Sequence, residues 1–116
     1  MKNTMARKLK QVPRGYLVVG VDPHKKRHAA VVVTQDFATH SKFKFSNSKE
    51  GFEMMLERVR AEMTRTGYRG IIFAIETGGH YWRNLAYFLD ERGIPFRFIN
   101  HFTLVFPGRA RHTRTG

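Results

Sequence analysis

The sequence predicts an α/β domain built on a mixed sheet: three antiparallel strands, then two parallel strands reached through crossover helices. Three observations carry that prediction. Two apolar runs, Leu17-Val18-Val19-Gly20-Val21 and Ile71-Ile72-Phe73-Ala74-Ile75, each end on a carboxylate and a turn, as strands buried on both faces do. Lys42-Phe43-Lys44-Phe45 alternates strictly and reads as a half-exposed edge strand whose lysines guard against aggregation. Two further stretches repeat their apolar residues at the helical period.

In chain order, Met1 to Arg14 carries Lys2, Arg7, Lys8, Lys10 and Arg14 with little to bury, so residues 1–14 read as a basic flexible arm. Leu17 to Asp22 is the first strand, stopped by Pro23. Pro23 to Arg27 make a basic turn, and Ala29 to Thr34, rich in β-branched residues, form the second strand. The short connection makes these two an antiparallel hairpin. Gln35 to Thr39 turn the chain into the edge strand. Asn47 opens a helix, with Glu50 placed to complete a capping box, and Phe52, Met55, Leu56, Val59 and Met63 form its core stripe. Thr66-Gly67 ends it. The strand Ile71–Ile75 enters from a helix and so lies parallel to the first through a right-handed crossover. Thr77 caps a second helix, with the stripe Trp82, Leu85, Ala86 and Leu89, stopped by Gly93. Ile94 to Ile99 is the last strand.

A chain of 116 residues, 41% hydrophobic and 13% aromatic, holds one core and is not of the disordered class. The 21 Lys+Arg against 9 Asp+Glu give a formal net charge of +12, which favours a polyanionic partner such as nucleic acid. The absence of cysteine excludes disulfides and thiolate metal sites. No apolar run is long enough to cross a bilayer and no signal-peptide core is present, so a cytoplasmic protein without a membrane partner is expected.

The chemistry is expected at Asp22 and Glu76. Each follows a buried strand, and in open α/β sheets such strand ends carry the site. If the strands are neighbours, the two acids converge. Magnesium or manganese prefers oxygen ligands and keeps several waters, so two carboxylates plus a substrate phosphate complete a site. Two such ions hold the attacking and leaving oxygens of a phosphodiester. Taken singly, either acid has a plainer explanation: Asp before Pro initiates a turn, and Glu ahead of a helix suits its dipole. Just past Asp22, His24, Lys25, Lys26 and Arg27, with His28 following, read either as phosphate contacts or as a solvated turn. His80 and Tyr81, beside the Gly78-Gly79 turn, are the corresponding nucleic-acid candidates after Glu76. Trp82 reads as core.

Four segments together resemble a known family: Val19-Gly20-Val21-Asp22-Pro23-His24-Lys25-Lys26-Arg27-His28, the stretch Phe45 to Phe52, Ala74-Ile75-Glu76-Thr77-Gly78-Gly79-His80-Tyr81-Trp82, and Phe98-Ile99-Asn100. They are similar to the N-terminal domain of the DEDD-type, Piv-invertase-related transposases of bacterial insertion sequences, the group that includes the bridge-RNA-guided recombinases. The resemblance implies a RuvC-like, ribonuclease-H-type fold over residues 15–105. It also implies that Asp22 and Glu76 are the first two of four catalytic, metal-binding carboxylates. It further implies DNA as substrate, a structured guide RNA, multimeric assembly, a nucleoid-associated location, and a serine supplied by a separate C-terminal domain. The sequence departs from that pattern after Asn100, where the family carries a closely spaced aspartate pair. Here Glu91 is the last acidic residue and Ser48 the last serine, while the tail, residues 106–116, offers Arg109, Arg111, His112 and Arg114. A truncated chain, holding its metal weakly and inactive in transposition by itself, is therefore expected. Two alternatives stand beside it. One is a non-catalytic nucleic-acid-binding module of the same fold. The other is a sugar-kinase or actin-like fragment, disfavoured because Pro23, His24 and Lys25 stand where its phosphate loop needs small residues.

Overall fold

A strand with no polar side chain between its ends belongs in the middle of a sheet, and β1 (Tyr16–Asp22) takes that place with all its interior residues buried. The computed structural model describes residues 12–34 and 39–100. After β1 come β2 (Arg27–Val33), β3 (Thr39–Ser46), α1 (Lys49–Thr66), β4 (Gly70–Glu76), α2 (Arg83–Glu91) and β5 (Phe96–Ile99). The strands lie in the order β3-β2-β1-β4-β5. β1 is antiparallel to β2 and β2 to β3, whereas β1–β4 and β4–β5 are parallel. The mixed sheet expected from the sequence is present, with the lysine-bearing β3 at one edge.

The two faces of the sheet differ. Leu17, Val19, Val21, Phe73 and Ile75 form one core with Phe52, Met55, Leu56 and Val59 of α1 and Leu85, Phe88 and Leu89 of α2. Both helices therefore cover the same face. Val18, Val31, Val33, Ile72, Ala74 and Ile99 form a second buried cluster on the other face, joined by Val12 and Tyr16; no described helix contributes to it.

Helix ends depart from expectation in two places. The N-cap of α1 is Ser48, whose hydroxyl accepts from Gly51 N–H at 3.0 Å, and not Asn47. Asn47 is drawn away by tertiary partners described below. Thr77 does not cap α2, which begins at Arg83; its backbone N–H donates to Ile99 O at 3.1 Å and its hydroxyl to the same oxygen at 3.4 Å, tying β4 to β5. Six residues of turn separate Glu76 from α2 as a result. The end of α1 is as expected: Gly67 adopts φ 83°, and its N–H reaches Met63 O at 3.0 Å. Ile94 and Pro95 lie outside the last strand, although Pro95 O accepts from Phe73 N–H at 3.0 Å. The first 11 residues of the expected arm, part of the turn at residues 35–38, and the tail from residue 101 lie outside the described residues.

Gly51 is the most tightly enclosed of the described glycines. A Cβ there would collide with the Ser46 carbonyl oxygen, so α1 starts against the end of β3 with no room for a side chain. Helix propensity alone favours Gly51→Ala by about 1 kcal/mol. The collision outweighs it: the variant is expected to lose about 2 kcal/mol net, by overpacking. Denaturant unfolding checks the sign, since a stabilised Gly51→Ala would mean that the junction is looser than this.

Candidate functional site

Register decides whether the two strand-end acids meet. Val21 lies opposite Ile75 in the parallel β1–β4 pair. Asp22 and Glu76, each the next residue of its strand, therefore stand side by side, with backbones about 5 Å apart. Val21 and Ile75 belong to the helix-side core, so strand alternation turns both acids toward the opposite face. Both are half-buried. Asp22 Oδ2 is 3.2 Å from His24 Nε2. An added Cβ at Gly78 would stand 3.6 Å from Glu76 Oε2, which places that carboxylate against the turn following β4.

Both helices begin at this rim. β3 is antiparallel to β2 and β2 to β1, so β3 runs with β1 and hands the chain to α1 beside Asp22. β4 hands it toward α2 beside Glu76. The helix starts thus lie at the end of the sheet where the two acids end their strands. Among the described residues no group of three or more His, Cys, Asp or Glu could enclose a metal ion. Asp22 and Glu76 could supply two oxygen donors to a hard divalent ion that keeps most of its waters and takes a phosphate oxygen as a further ligand.

The turn after Asp22 exposes Lys25, Lys26 and Arg27 and is fastened from beneath. Asn47 N–H donates to Lys26 O at 2.9 Å, and its side-chain amide donates to Lys25 O at 3.1 Å. His24 N–H donates to His28 Nδ1 at 3.0 Å. His28 is fully buried, stacked on Phe52 at 6.0 Å and edge-on to Phe45 at 5.3 Å. It is an anchor and not a phosphate contact. Its place was visible in the strand pattern, since period two groups it with Ala30 and Val32 on the core face. Because Nδ1 accepts, the ring proton sits on Nε2. His28 Nε2 and Asn47 Oδ1 are both buried and have no hydrogen-bond partner among the described residues.

After Glu76, His80 and Tyr81 are exposed in the second turn with their rings 4.5 Å apart. Trp82, expected as core, is only partly buried and lies edge-on to Phe98 at 4.8 Å. The sequence-predicted residues thus fall in the two turns that leave the carboxylate rim. Glu62 went unrecognised in sequence. It is buried, accepts from Ser41 Oγ at 2.7 Å, and has Arg58 Nε at 3.5 Å and His40 Nε2 at 3.9 Å. Its position three residues after Val59 sets it on the core stripe, so periodicity could have found it. It pins the edge strand to α1.

Two carboxylates ending adjacent parallel strands, each followed by a basic or aromatic turn, make a specific pattern. The model of the IS110-type DEDD transposase family, described as Transposase, matches residues 19–106. The chain belongs to that family. A comparison with curated proteins finds no match. The match begins inside β1 and includes both turns that follow Asp22 and Glu76. The five-stranded mixed sheet with its helices is consistent with the ribonuclease-H-like fold that the resemblance implied. No helix among the described residues is long and apolar enough to cross a membrane.

Burial, and next the charge of nearby His24, pushes His28 down from 6.5 to about 4. Folding therefore favours the neutral ring. The stability this contributes is complete above pH 6.5 and is withdrawn as the pH falls toward 4, to a full extent of about 3 kcal/mol. Urea unfolding at stepped pH is expected to show that decline, and His28→Phe, which keeps the stack on Phe52, is expected to flatten it. An identical slope in the variant would place the acid sensitivity elsewhere.

Proposed function

We propose that this transposase domain acts on DNA phosphodiesters through a divalent-metal site to which Asp22 and Glu76 supply two carboxylates. The observation that supports it is their side-by-side placement at the ends of neighbouring parallel strands. Magnesium or manganese, when bound, would polarise the phosphodiester and sharpen the attacking oxygen. The residues do the holding. Asp22 and Glu76 are rigid because a paired strand precedes each, and His24 orients the Asp22 carboxylate at 3.2 Å. Lys25, Lys26 and Arg27 neutralise the phosphate backbone, with His80 and Tyr81 contacting it from the other turn.

Two acids are half of the four that the family resemblance implies. On this reading the two acids alone hold the ion weakly. The second acidic pair, the serine nucleophile, a guide RNA and further subunits are the domain's partners in the complete reaction. A non-catalytic nucleic-acid-binding module is the second reading. The net charge of +12 and, among the described residues, the lack of any group of three or more His, Cys, Asp or Glu that could hold a metal ion favour it.

Calorimetric titration with manganese separates the two. Asp22→Asn and Glu76→Gln are each expected to lower the affinity about tenfold or more, since even the outer neighbours of metal ligands are worth that much. Equal binding by wild type and both variants, or none by any, would leave the binding-module reading.

A further inference from the structure

Beside the carboxylate rim lies a group of rings that the metal-site reading does not use. Phe98 of β5 stands opposite Ile75 in register, one residue short of Glu76, and is 46% exposed. Its ring meets Trp82 at 4.8 Å and Phe96 at 5.3 Å. Trp82 is fixed in turn, its Nε1–H donating to Gly79 O at 2.9 Å. The Arg83 guanidinium lies 5.7 Å from the tryptophan ring centre. The rings form a braced, half-open shelf on the helix side of the sheet, sharing one rim with Glu76.

We propose that this shelf stacks an unpaired base of nucleic acid, with Phe98 and Trp82 supplying the ring faces and Arg83 a cationic contact to the base or its phosphate. The proposal rests on the reading of this domain as one that acts on DNA; it adds the form of nucleic acid and the place where it is held. Bases of a duplex stack on one another, so an aromatic shelf of this kind serves a nucleotide that has left its helix. Charge points to the same occupant. Arg83, exposed, stands beside the shelf on a chain of net charge +12. A polyanion gains from that field. β5 pairs with β4, so the shelf and Glu76 lie at the same end of neighbouring strands.

Trp82 is the only tryptophan in the chain, so its emission reports the shelf alone. The full chain is titrated with single-stranded oligothymidylate and with a duplex of equal length, and binding is followed independently by anisotropy of a labelled strand. Saturable quenching by the single strand, with little by the duplex, is the expected result. Phe98→Ala, at a half-exposed position that the fold tolerates, is expected to weaken single-strand affinity about tenfold and leave duplex affinity unchanged. Phe98→Tyr is expected to retain both affinity and quenching. Single-strand binding without quenching, equal quenching by the duplex, or a Phe98→Ala variant that binds like wild type would overturn the shelf while leaving the DNA reading in place. Failure of both nucleic acids to bind would remove the DNA reading and the shelf with it. Emission that shifts with protein concentration and resists the single strand would assign the shelf to a second copy and overturn the proposal.

Discussion

The parallel pairing of β1 with β4 is the constraint on which the rest depends. Side chains alternate along a strand, so a slip of one residue between these two would send one carboxylate toward the helices and leave the other on the opposite face. The register is held by burial. Leu17, Val19 and Val21 must meet Ile71, Phe73 and Ile75 on the helix side, while Val18 meets Ile72 on the other. A slip would expose or misplace both sets at once. The apolar interiors of the strands thus fix where their acidic ends lie. The same residues that stabilise the domain set the spacing of its chemistry.

Around that pair, positive charge comes from two sources. The turn after Asp22 carries two lysines and an arginine, and the chain as a whole is strongly cationic. The turn is the component most in need of restraint, because it bears long charged side chains and little apolar surface. Its restraint comes from beneath, through Asn47 and the buried His28. A buried imidazole is an expensive anchor, since it must remain neutral and its Nε2 has no hydrogen-bond partner among the described residues. What it obtains is a hydrogen bond to the backbone of His24, the residue that touches Asp22.

Much of this was legible in the sequence where one physical signal acted alone. The interiors of β1 and β4 could be nothing but central strands, and the alternation of Lys42 to Phe45 could only be an edge. Where two signals competed, the outcome depended on contacts distant in sequence. Asn47 and Ser48 are both good helix caps; Ser48 took the role because Asn47 is held by Lys25 O and Lys26 O, some twenty residues earlier. Thr77 looked like a cap because it precedes a helical stripe, yet a strand not yet formed at that point in the chain, β5, claims it. His28 and Glu62 fall on core stripes by periodicity, but a polar side chain on such a stripe carries no local signal of the distant partners that let it be buried. The aromatic shelf was hidden because Trp82 and Phe98 come together only when β5 pairs with β4.

The central claim is that Asp22 and Glu76 act as one oxygen-donor site. Paramagnetic manganese tests it most directly, because the ion broadens the amide resonances nearest to it. Substoichiometric manganese added to the isotope-labelled chain is expected to broaden the signals of residues around Asp22 and Glu76 together, at the same ion concentration. Broadening centred on His40 and Glu62, or at one strand end without the other, would contradict it.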